Sequence, residues 1–126
     1  MNVEDHLRAA LVNRAAVPAL CHVLVASNII VLGSIEDDGR ATGEAQLDVL
    51  HYLSGADQVM PVFTDSQYVD IAVREDPNCA KLKAITVQGT YLLEKVSDSV
   101  LVLVNPWSDL EVELPSTEVK AAIKAG

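Results

Sequence analysis

The apolar run Val100-Leu101-Val102-Leu103-Val104, bounded by Asp98-Ser99 and Asn105-Pro106, constrains this chain more than any other segment. It is too short for an ordinary helix. Because strand side chains alternate between faces, an all-apolar strand belongs in the middle of a sheet with cover on both sides. Pro106 bars Asn105 from the helical region, so the strand ends there and turns. Leu110, Val112 and Leu114 then alternate with Glu111 and Glu113, predicting an edge strand with an acidic face, entered by a hairpin through Trp107-Ser108-Asp109.

The rest of the chain supplies the cover. Val3, Leu7, Ala10 and Leu11 recur at helical spacing and predict an amphipathic opening helix, with Glu4, Arg8 and Asn13 toward water. Pro18 stands where a first-turn proline is tolerated, and Ala19 to Ala26 continue as a more buried helix. Ile29-Ile30-Val31 before Gly33 predicts a buried strand over 28–32, and the charged, glycine-containing stretch 36–44 predicts an exposed loop. Leu47, Val49, His51 and Leu53 alternate as a second strand, 54–57 turn, and 58–63 form a third strand, placed at an edge or bulged because Pro61 has no N–H to donate. Thr64-Asp65-Ser66-Gln67 reads as a capping box in which Thr64 and Gln67 satisfy each other, starting a helix at Asp65, with Phe63 and Tyr68 as its hydrophobic staple. That helix stops at Glu75-Asp76-Pro77-Asn78. Residues 84–87 read as a short strand and 91–96 as a helix, and Ser116 caps a closing helix with Val119, Ala122 and Ile123 inward and Lys120 and Lys124 outward. Together these predict a single α+β domain over 1–126, with a mixed, mostly antiparallel sheet of about five strands flanked by helices.

Charge and composition exclude several functions. Half of the 126 residues are apolar and 21% are charged, which suits a globular chain, and 9 Lys+Arg against 18 Asp+Glu give −9, a balance that repels nucleic acid and anionic lipid. The acidic N-terminus and the lack of a long apolar segment predict neither an export signal nor a membrane span, so the expected location is the cytoplasm. Cys21 and Cys79 are then expected as free thiols.

No segment carries a catalytic motif. His6, His22 and His51 fall on separate elements with no second ligand at helical spacing, so no metal is expected. Cys21 and His22 are neighbours on a helix and point about 100° apart, which does not make a nucleophile and base. Glu111 and Glu113 lie about 7 Å apart on one strand face, a spacing used in hydrolysis, but acids alternating on a hairpin edge are read first as a solvated face that deters edge pairing. Glycines 33, 39 and 43 match no phosphate loop, and Glu36-Asp37-Asp38 matches a calcium loop only in charge. No cofactor is expected. Two junctions remain as candidate binding residues: Phe63, Thr64, Asp65, Ser66 and Tyr68, where a strand hands over to a helix start, and Asn105, Pro106 and Trp107, where the apolar strand ends beside the only tryptophan.

At these junctions the chain resembles the N-terminal domain of the enhanced serine sensitivity protein family, SseB. The likeness rests on Pro61-Val62-Phe63-Thr64-Asp65 before a helix, on Leu103-Val104-Asn105-Pro106 ending a hydrophobic strand, on the Leu7…Leu11 helix and on the helix after Pro115, and it covers most of 7–124. The resemblance implies a small bacterial, cytoplasmic α+β domain with no established catalytic residue or cofactor. Three functions follow as expectations. In the first, a noncatalytic interaction module presents Phe63, Tyr68 and Trp107 to a protein partner, a second copy of the chain included. The alternative is a small-ligand sensor or carrier using the helix N-terminus at Thr64 to Ser66 beside Asn105. An enzyme using Glu111, Glu113 or His51 ranks last. A flat exposed aromatic patch would favour the partner, and a concavity the ligand.

Overall fold

The computed structural model describes residues 2–36, 46–54 and 57–125. Among the described residues five α-helices, α1 (Val3–Val12), α2 (Val17–Ala26), α3 (Ser66–Glu75), α4 (Gly89–Leu93) and α5 (Ser116–Ala125), accompany seven strands. The strands are β1 (Asn28–Glu36), β2 (Gln46–Val49), β3 (Tyr52–Ser54), β4 (Asp57–Val62), β5 (Lys83–Gln88), β6 (Val100–Val104) and β7 (Val112–Pro115). The class is α+β, as expected. Instead of one sheet of about five strands, however, the described residues form two sheets, β2-β1-β5 and β3-β4-β6-β7. Pairing is antiparallel except between β4 and β6. One bridge stitches the sheets: Ile30 and Phe63 exchange both backbone hydrogen bonds at 2.8 Å.

Local chemistry explains the helices. Asn2 accepts from the Asp5 amide at 2.9 Å while Asp5 accepts from the Asn2 amide, a capping box absent from the sequence reading. α2, with Pro18 in its first turn, buries Val17, Leu20, Cys21, Leu24 and Val25 and packs against α1, α4 and α5. The apolar face of α1 is narrower than expected, since Leu7 and Ala10 are buried but Leu11 is exposed. α4 caps the end of α2: the Gly89 amide donates to Ser27 O at 2.8 Å and Thr90 Oγ1 to Val25 O at 2.7 Å, satisfying carbonyls that helix ends leave open.

Several expectations are corrected. The strand expected through Leu47, Val49, His51 and Leu53 is two strands in different sheets, because the chain leaves β2 at Leu50, whose amide bonds Leu32 O at 2.7 Å. β4 lies inside its sheet, between β3 and β6, despite Pro61. Backbone groups alternate sides along a strand. Val62 O faces β6, where it accepts from Asn105 N, so Pro61 and Phe63 point the other way. Phe63 meets Ile30 there, and the β3 pairing stops at Tyr52–Val59, so the Pro61 nitrogen faces the gap between the two partners. β6 is fully covered on one face only: Val100, Val102 and Val104 are buried while Leu101 and Leu103 are half-buried.

The remaining corrections concern helix ends. α3 starts at Ser66 with Asp65 as its cap, accepting from the Gln67 amide at 3.3 Å. Thr64 is engaged elsewhere, and the staple positions become Thr64 and Val69, so Phe63 and Tyr68 do not form that pair. The strand expected at 84–87 is β5, whereas the helix expected at 91–96 is displaced to α4 and ends at Leu93; a 3₁₀ turn at Pro77–Lys81 precedes both. Ser116 does not cap α5; its buried hydroxyl donates to Val100 O and pins the helix to β6. Lys120 turns from solvent to bond Asp98 at 2.8 Å. Apart from Glu36, the loop expected at 36–44 lies outside the described residues, as do Gly55 and Ala56 of the expected turn.

Candidate functional site

The parallel pairing of Val62 with Val104 brings the two sequence-identified junctions side by side. Asn105 fastens them. Its backbone amide donates to Val62 O at 2.8 Å, its Oδ1 accepts from the Thr64 amide at 3.0 Å, and its Nδ2 donates to Thr64 Oγ1 at 3.0 Å. The Thr64 N–H can only donate, so it fixes which way the Asn105 amide faces. Asn105 is fully buried with φ 51°, a left-handed conformation that asparagine tolerates better than most residues. It leaves the helical region as its proline neighbour requires, but toward positive φ.

Beyond the buried Pro106, the turn is tightly bonded. Ser108 Oγ donates to Asn105 O at 2.7 Å and accepts from the Leu110 amide at 3.1 Å, and the Trp107 amide, at φ 65°, donates to Glu111 Oε1 at 3.1 Å. Glu111 therefore belongs to the turn rather than to β7, and the expected pair with Glu113 on one strand face does not form. This turn holds the Trp107 indole 45% exposed.

Trp107 stands on the rim of a concavity of about 400 Å³. Its wall is Leu50 and Tyr52 from the sheet switch, Pro61 and Phe63 from the end of β4, and Cys79 and Leu82 from the segment before β5. Asp76, Asn78 and Lys81 supply polar edges. The concavity lies where β3 and the Ile30–Phe63 bridge diverge, which is also why Pro61 fits there. Of the residues proposed from sequence, Phe63 and Trp107 line it. Tyr68 is buried and bonds Glu4 at 3.3 Å, tying α3 to α1. Phe63 is fully buried too, so the exposed three-ring patch expected for a protein partner is reduced to Trp107. Thr64, Asp65, Ser66, Asn105 and Pro106 are not among the lining residues. The α3 N-terminus is already served by the Asp65 carboxylate, whose charge opposes an anion there. Sequence reading missed Leu50, Tyr52, Cys79 and Leu82; for the last two, the only signal was two apolar residues between the helix stop at 75–78 and the strand expected at 84–87.

Two groups on the wall of the concavity, Tyr52 and Cys79, hold their protons more firmly than usual. Burial raises the Tyr52 hydroxyl, with Glu111, Cys79 and Asp76 adding to the effect. Cys79 is raised by burial and by Asp76. Elsewhere, burial pushes Cys21 up to about 11. At mildly alkaline pH its thiolate fraction is then roughly a hundredfold below that of an ordinary thiol. With both cysteines buried, the folded protein should release no colour from an aromatic disulfide reagent, while denaturant should expose both thiols. Rapid reaction of either in the native state would contradict the packing.

Among the described residues no group of three or more His, Cys, Asp or Glu side chains gathers as a metal site requires, and no helix is long and apolar enough to cross a membrane. A family model described as SseB protein N-terminal domain matches residues 3–121. The chain belongs to the SseB N-terminal domain family. In this SseB-family chain the matched span runs from the start of α1 into α5 and includes both junctions and the Trp107 concavity. No curated protein and no solved structure matches it significantly.

Proposed function

We propose that this SseB-family chain is a noncatalytic binding module that takes a small, largely apolar molecule into the concavity beside Trp107. The supporting observation is the combination of size and lining: about 400 Å³, within the range of small-ligand sites, walled by apolar side chains with a few polar groups at the edge. The neutral Tyr52 and Cys79 support a binding role over acid–base or thiol chemistry, because neither supplies a base or nucleophile near neutral pH. The protein-partner reading loses two of its three anchors with the burial of Phe63 and Tyr68. The buried free thiols are in keeping with a reducing cytoplasm.

Trp107 is the only tryptophan, so emission excited selectively at tryptophan, beyond tyrosine absorption, reports on this site. Titration with cyclohexanol, an optically silent apolar ring, should shift that emission saturably. Leu82→Glu, which puts a charge at the half-buried wall, should remove the response while leaving the far-ultraviolet circular dichroism unchanged. A wild-type emission that stays flat, or changes without saturating, overturns the proposal.

A further inference from the structure

The chain has five aromatic residues in all, one Phe, one Trp and three Tyr, and three of them stand at the same concavity: Tyr52 and Trp107 with exposed surface, and Phe63 fully buried behind its wall. Aromatic faces carry negative potential and attract cations, most strongly where water is partly excluded. Carboxylates reinforce that sign. Asp76 is on the edge of the concavity, and Glu111 is held against the Trp107 backbone by a 3.1 Å bond. Both also act on Tyr52, where their charge disfavours the phenolate. Lys81 on the same edge opposes a cation, against these two carboxylates and a protein charge of −9.

An anion would meet the wrong potential. A bare ammonium ion would lose strong hydration on entering a mostly apolar cavity, whereas methylation spreads the charge and supplies apolar surface to meet Leu50, Pro61 and Leu82. We infer that the ligand of the Trp107 concavity is a small, free methylated ammonium compound, its charge set against the rings of Tyr52 and Trp107 with Asp76 at the edge. This assignment rests on the binding role proposed above and narrows it to one class of ligand.

The test compares choline with 3,3-dimethylbutan-1-ol, which has the same shape with carbon in place of the charged nitrogen. Both are titrated against Trp107 emission, and choline should bind about tenfold more tightly. Asp76→Asn keeps the side-chain oxygen that accepts from the Asn78 amide at 3.0 Å but removes the charge. It should weaken choline about threefold and leave the alcohol unchanged, while Lys81→Gln, at an exposed position, should tighten choline by a similar factor. Equal binding of the two probes, or tighter binding of the alcohol, overturns the cation assignment and leaves the apolar site standing. If neither probe binds but cyclohexanol does, the assignment again falls alone; if all three are silent, the site itself falls. A peptide bearing trimethyllysine that binds more than tenfold tighter than choline overturns the assignment to a free small molecule.

Discussion

Asn105→Ala should lower the unfolding free energy by about 3 kcal/mol, or the melting temperature by roughly 10 °C. Two effects add. Alanine at φ 51° lacks the local tolerance of asparagine for the left-handed region, which costs about 1 kcal/mol. Removing the amide also orphans the Thr64 N–H and hydroxyl, which it holds at 3.0 Å inside the molecule, at about 2 kcal/mol. Asn105→Gly separates the terms, because glycine takes the conformation freely but cannot make the bonds, so it should lose only about 2 kcal/mol. Denaturant titrations of the three proteins measure this directly. Losses below about 1 kcal/mol for both variants would mean that water replaces the side chain and that Asn105 does not fasten the two junctions.

Gly89→Ala should cost about 3 kcal/mol for a single added methyl. Its Cβ would lie 2.4 Å from Leu24 O and 3.0 Å from both Ser27 O and Val25 Cα, all of them backbone atoms that no rotamer change can move. Space rather than backbone conformation demands the glycine here. Relief would require α4 to retreat from α2, breaking the Gly89 bond to Ser27 O and the Thr90 bond to Val25 O. Thr90→Val provides the comparison: it keeps the volume, loses one hydrogen bond, and should cost about 1 kcal/mol. Near-wild-type stability of Gly89→Ala would show that the close approach of the two helices is not required.

Much of the fold could be read from short-range patterning. The apolar runs at 29–31 and 100–104 are strands, the breaks at Glu75-Asp76-Pro77 and Asn105-Pro106 stop what they should stop, and the opening and closing helices follow their periodicity. The sheet switch was hidden because alternation continues unbroken through Leu47, Val49, His51 and Leu53, with no glycine or proline to mark Leu50. Pro61 misled for a related reason: local rules forbid proline where an N–H is needed, and only the tertiary arrangement shows that nothing at this position needs one. In Thr64-Asp65, either residue can cap a helix, and a partner 41 positions away takes Thr64 and leaves Asp65 to do it. The two junctions were identified and do meet. The concavity was not, because it gathers five residues of 76–82 with pairs from 50–52 and 61–63 and with Trp107, none unusual in its own segment.

Strands of the two sheets alternate along the chain: β1 and β2 belong to the first, β3 and β4 to the second, β5 to the first again, β6 and β7 to the second. Any cut between β1 and β7 therefore splits at least one sheet. Among the described residues, no single crossing of the chain separates one sheet from the other. The walls beside Trp107, with Tyr52 and Pro61 from the second sheet and Leu50 and Leu82 flanking strands of the first, are therefore anchored to both halves of this interleaved frame, an arrangement that favours a site shaped before its guest arrives.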